Sequence, residues 1–167
     1  MATSPGVFQG VVVPTPSPMF QQQNYLQGPE QYQKIILTSA QLLALFTTPV
    51  VIAPAGGPGT ILVPDGITYR YIALSAGAVA YTIGTGVLQM YLGSVAAGHA
   101  LHASIATGLI DQTVNKTIPF VQLTTPTTFD TDANYLNQPL SIGNSVANYT
   151  LGNGSLEVML EYYTLQV

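Results

Sequence analysis

The sequence predicts an all-β protein: a single β-sandwich, with the jelly roll as its favoured form, carrying one short helix and an extended N-terminal arm. Three observations lead there. Between residues 34 and 167 the apolar residues fall in short runs, each bounded by Gly, Pro or Asp-Gly, which is the pattern of strands separated by turns. Near the C-terminus, Leu156, Val158, Leu160, Tyr162 and Thr164 alternate with Glu157, Met159, Glu161, Tyr163 and Leu165, a strand period of two. A chain of 167 residues has room for one domain with a real core but not for two.

Residues 1–33 form the arm. Pro5, Pro14, Pro16, Pro18 and Pro29 and the run Gln21-Gln22-Gln23 interrupt any period, so the segment reads as extended or polyproline-like. It also carries more apolar side chains than an inert linker does, and Phe8, Val12, Phe20 and Tyr25 are its candidate interface anchors. An extended arm of this length reaches on the order of 100 Å, enough to lie on a neighbouring subunit. The sandwich domain, residues 34–167, opens with a strand over Lys34–Leu37. Thr38 or Ser39 then caps a helix from Ala40 to Phe46, which Pro49 stops. Strands are expected at Val50–Ala53, Thr60–Val63, Thr68–Leu74, Val79–Ile83 and Val87–Leu92, with a turn at Asp65-Gly66 and a hairpin around Ile83-Gly84-Thr85-Gly86-Val87. Leu101–Ile110 is ambiguous between strand and helix. Ile118–Leu123, Leu140–Ile142 and Leu156–Leu165 complete the set. Eight or nine such strands make a sandwich, and their number favours the jelly roll over an immunoglobulin-like arrangement.

Charged residues make up 6% of the chain, against about 25% in typical soluble proteins. The polar surface is therefore built from Thr, Ser, Asn, Gln and backbone. Such a surface has little repulsion to keep copies apart and is cheaply desolvated, so self-association is expected. With three Lys and Arg and a formal charge of -4, the chain has no basic patch for a run of phosphates, which argues against a nucleic-acid partner. No stretch approaches eighteen uninterrupted apolar residues, and the N-terminus lacks the basic start of a signal peptide, so no membrane association or export is expected. The absence of cysteine removes disulfide and thiolate chemistry.

His99 and His102 are three apart, a spacing that on a helix points both toward one metal, but no acidic residue lies within eight positions; they read as surface or interface imidazoles. Asp130, Asp132 and Asn134 begin like a calcium loop, which then fails because Tyr135 stands at its glycine and Ser141 at its glutamate. Glu157 and Glu161 share a strand face about 13 Å apart, too far for a glycosidase pair, and are expected to keep that face wet. Ala55-Gly56-Gly57-Pro58-Gly59 has neither the lysine nor the helix of a phosphate loop. The sequons at Asn115, Asn148 and Asn153 read as chance. No metal, cofactor or catalytic residue is expected, and the protein is not expected to be an enzyme. Ten tyrosines stand against no tryptophan. Tyr162 and Tyr163 point to opposite faces of the last strand, so one of them is an interface candidate.

The stretch Ile36-Leu37-Thr38-Ser39-Ala40-Gln41-Leu42-Leu43-Ala44-Leu45-Phe46-Thr47-Thr48-Pro49-Val50, continuing through Ala53-Pro54 to Gly59, and the ending Asn153-Gly154-Ser155-Leu156-Glu157-Val158-Met159-Leu160-Glu161-Tyr162-Tyr163 resemble small structural proteins of tailed bacteriophages. The resemblance covers residues 34–167 and leaves the arm outside. It implies a virion structural role, foremost a head decoration or cement protein on the capsid exterior, made in the host cytoplasm. Its implied partners are further copies of itself, in a homotrimer matching local threefold positions, and the major capsid protein. A tail or baseplate role, or a carbohydrate- or receptor-binding module, is the alternative.

Overall fold

The computed structural model describes residues 28–95, 99–122 and 135–166, without the side chains of Phe120 and Gln122. Among the described residues there are eight strands: β1 (Gln31–Leu37), β2 (Val50–Ala53), β3 (Thr60–Ile72), β4 (Gln89–Leu92), β5 (His99–Ala100), β6 (Lys116–Gln122), β7 (Leu140–Gly143) and β8 (Ser155–Gln166), with one helix, α1 (Ser39–Leu43), between β1 and β2. They form two four-stranded sheets, sheet A in the order β1-β8-β3-β6 and sheet B in the order β2-β7-β4-β5, with every pairing antiparallel. The protein is all-β. Each strand pairs with its counterpart counted from the other end of the chain: β1 with β8, β2 with β7, β3 with β6, β4 with β5.

One hydrophobic cluster takes side chains from both sheets. Leu37, Tyr69, Leu156 and Val158 come from sheet A, and Ile52, Met90, Leu140 and Ile142 from sheet B. The alternation expected of the last strand is realised: Leu156, Val158, Leu160 and Tyr162 face the core, pairing across β8 with β1 on one side and β3 on the other.

The helix is set by its cap. Thr38 Oγ1 accepts from the Gln41 N–H while Gln41 Oε1 accepts from the Thr38 N–H, a complete capping box. Regular helix stops at Leu43, and residues 44–47 continue as turns that still bury Leu45.

Three expectations are corrected. Val79–Ile83 is no strand but holds a single bridge, from Thr82 to Thr150. The Asp65-Gly66 turn is absent: Thr60–Val63 and Thr68–Leu74 merge into one strand, β3, whose pairing to β8 shifts register between Pro64 and Gly66. The inserted Asp65 is a bulge, which resets the alternation. Thr60, Leu62 and Pro64 are buried before it, and Ile67, Tyr69 and Tyr71 after it. Pro64 is accommodated there because the pairing described between β3 and β6 begins only at Gly66. The hairpin around Gly84-Thr85-Gly86 is absent too. The chain does turn, with the Gly86 N–H donating to Ile83 O at 2.8 Å. Its flanks then part, Thr82 bridging Thr150 while β4 pairs with β5 and β7. Leu101–Ile110 is neither regular strand nor helix. It runs beside β4, with Leu101 N–H on Met90 O and Ile105 N–H on Leu88 O, before ending in a turn.

Candidate functional site

His99 and His102 are separated by the fold. His99, on β5, is exposed and lies against the Tyr135 ring, centroids 4.8 Å apart. His102 is buried at 7% exposure and joins the two sheets. Its Nε2 lies 2.7 Å from the Tyr69 hydroxyl of β3 and accepts from the Met90 N–H of β4 at 3.1 Å, while Nδ1 lies 2.6 Å from Ala103 O. Since the Met90 N–H can only donate, Nε2 is the bare nitrogen and Nδ1 carries the proton. Burial pushes the His102 pKa down, partly opposed by the Ala103 carbonyl. Both ring nitrogens are engaged, so this imidazole is a neutral connector of the sheets.

The sequon asparagines hold loops. Asn115 Oδ1 accepts from the Ala73 N–H, Asn148 Oδ1 from Phe46, and Asn153 Oδ1 from Val79, while Asn153 Nδ2 donates to Gly77 O. Asn144, fully buried, does the same for another turn: its Oδ1 accepts from the Val87, Val146 and Ala147 N–H groups. Beside it, Phe46, Pro49, Ser94, Val95 and Ser145 line a cleft. Asp130, Asp132 and Asn134 lie outside the described residues, as do the arm anchors Phe8, Val12, Phe20 and Tyr25.

The outer face of sheet A carries most of the chain's described charge. Glu157 is not wet, as expected from its strand position, but 4% exposed. Its carboxylate receives Lys34 Nζ from β1 at 2.8 Å and faces Arg70 Nε from β3 at 3.7 Å. The Lys34 hydrogen bond holds the Glu157 pKa below the usual carboxylate range against the effect of burial, and Arg70 adds to it. Two rows along, Glu30, Asp65 and Glu161 each bring a carboxylate oxygen within 4.8 Å of the others. Asp65 reaches this group because it is the bulged residue. Tyr32 joins it by hydrogen bonding to Glu30, which raises the phenol pKa. Burial and then the carboxylates Glu30, Asp65 and Glu161 raise that of Tyr163.

Tyr162 packs in the core at 7% exposure, and Tyr163 lies half-buried on the outer face. Tyr69, Tyr71, Tyr81, Tyr91 and Tyr149 are also buried. Tyr71, Tyr81 and Tyr149 meet edge to face in succession, at centroid distances of 6.2 and 6.3 Å. Most of the tyrosines are thus core. Burial could have been read from their inward strand phase, but the partner of each hydroxyl could not. The same holds for Glu157 and His102, whose partners arrive from distant strands.

No family model and no curated protein matches the chain. Among solved structures it is similar to the cyanophage Pam1 capsid asymmetric unit, at 14% identity and a TM-score of 0.41, over 98% of this chain and 99% of that one.

Proposed function

We propose that the chain is a structural protein of a bacteriophage virion, without catalytic activity, and that it acts as a head decoration or cement protein on the capsid exterior. The carrying observation is how the two segments that resemble tailed-phage structural proteins meet. Far apart in sequence, they adjoin in space: Leu37 and Ile36, which open the first, pair with Leu156 and Glu157 of the second. Thr164, just beyond the second segment, packs against Gly56 of the first. The two segments are therefore neighbours where β1 meets β8. The strand orders support reading the body as a jelly-roll sandwich, since pairing strands from the two chain ends inward, alternately in two sheets, is what rolling up a long antiparallel ribbon produces.

The surface supports a protein partner. Leu74, Val79, Val114 and Leu151 are large apolar side chains left 42 to 67% exposed on loops tied together by Asn115 and Asn153, and such exposure fits a surface that is covered on assembly. In this reading copies associate as a trimer at local threefold positions and contact the major capsid protein, with the arm as a clamp. Electron microscopy of intact particles tests it. Density for the chain on the head exterior is expected; density confined to the tail or baseplate, or absence from the particle, overturns it.

A further inference from the structure

We propose that the outer face of sheet A is a self-docking surface, occupied by a second copy of this chain across a two-fold axis that runs between the two faces, across the strands, close to Met159. This contact does not depend on the head-decoration reading. Its basis is the charge arrangement. Two of the chain's three cations, Lys34 and Arg70, flank Glu157 at one end of the face, and three of its seven carboxylates, Glu30, Asp65 and Glu161, crowd the other. The two ends stand about 13 Å apart along β8, with Met159 between them, paired to Lys34 and Thr68. Glu157 offsets one of the two cations, which leaves the first end net positive. The three clustered carboxylates leave the second end uncompensated.

A two-fold axis across the strands lays each strand over its own copy reversed. Lys34, whose ammonium leans toward Glu157, then faces Glu30 of the partner copy, and Arg70 faces Asp65 of the partner copy. Both contacts occur twice, as an isologous interface requires. The other axis within the interface, along the strands, sets acid against acid. The same face exposes Tyr32 at 67% and Ile36 at 53%, apolar surface that the contact covers. The chain thus supplies both halves of the complement at matching spacing, whereas an unrelated cationic partner would satisfy only the acidic end.

Charge exchange tests this on the full chain by sedimentation and light scattering. The wild type is expected to form an even-numbered species, a pair of trimers where the proposed trimer also forms, and Asp65→Lys and Arg70→Glu, each made separately, are each expected to halve its mass, self-association weakening at least about tenfold. Mixed one to one, the variants should recover the wild-type mass, because in the mixed pair both contacts are again between opposite charges. Melting curves check that each variant is folded. If one is not, the wild-type species itself must still weaken as salt rises from 0.05 to 0.5 M, on the order of tenfold. An odd-numbered or monomeric wild type, or a mass indifferent to both substitutions and to salt, overturns the inference. A salt-indifferent trimer found on the head would do so while leaving the decoration reading intact. Loss of the chain from particles would sink that reading and leave this one standing.

Discussion

His102 is the titratable group on which the two sheets most directly depend. Its pKa is lowered by burial, so the unfolded chain binds the proton more readily than the folded one. Stability is therefore full above the ordinary value of 6.5 and is lost as pH falls from there through the lower folded value. Protonation at Nε2 strips the Met90 N–H of its acceptor. The melting temperature should accordingly fall between pH 7 and 5, before carboxylates titrate. Replacing His102 with Ala should cost about 1–3 kcal/mol, because the Met90 N–H and Tyr69 hydroxyl are left buried and unmatched, and should flatten that part of the profile. An unchanged slope in the variant would show that another group carries it. Glu157 contributes in a separate window: its pKa is depressed, so its share is present above about 4.5 and lost only in stronger acid. None of these partnerships was legible in the sequence. A lone buried histidine gives no local signal, because Tyr69 and Met90 come from the strands β3 and β4. The reading of both histidines as surface or interface imidazoles fits the exposed His99 but not His102, which is buried.

Among the elements, those whose instructions are local were read closely. The capping box is written in Thr38-Ser39-Ala40-Gln41, and replacing Thr38 with Ala should cost about 1 kcal/mol, measured by denaturant unfolding. A loss near zero would mean that α1 is held by Leu42 and Leu45 alone. The last strand announced itself by alternation. Asp65-Gly66 misled because a bulge and a turn use the same residues, and only pairing to β8 on one flank and β6 on the other decides between them. The Ile83–Val87 turn misled for the converse reason: the turn chemistry is present, but Thr82 finds Thr150 and β4 finds β7. Close packing sets another limit that sequence does not show. A Cβ at Gly154 would run into the Tyr71 ring and hydroxyl, and the Gly154 carbonyl also accepts from the Tyr81 hydroxyl at 2.6 Å. Both rings are buried in the core and have nowhere to retreat. Gly154→Ala should destabilise by about 1–3 kcal/mol, seen as a lower midpoint at unchanged denaturant slope.

At the scale of the whole molecule, the division between arm and body becomes a question of where to cut. The sequence placed the boundary at Lys34, where proline and glutamine give way to apolar runs. The first strand begins earlier. Gln31, Tyr32 and Gln33 pair with Tyr162, Glu161 and Leu160, Gln31 Nε2 donates to Thr164 Oγ1 at 2.9 Å, and the Gly28 N–H donates to Thr164 O at 2.9 Å. Two truncations therefore have different consequences. Removing residues 1–27 leaves every described pairing of β1 in place, and the described core begins only at Ile35, so the melting temperature should stay within about 2 °C. Removing residues 1–33 takes three pairs from the β1–β8 ladder and uncovers the edge of β8. A loss of about 1–2 kcal/mol should lower the melting temperature by about 2–8 °C. Under the proposed clamp, attachment to particles should weaken strongly in both. Phe8, Val12, Phe20 and Tyr25 are worth about 1.5–3 kcal/mol each if buried on a neighbour, offset by the entropy of ordering the arm. Calorimetry and a particle-binding assay on the two truncations separate the effects. If the 1–27 truncation binds with wild-type affinity, the arm is no clamp, and attachment must be sought on the body.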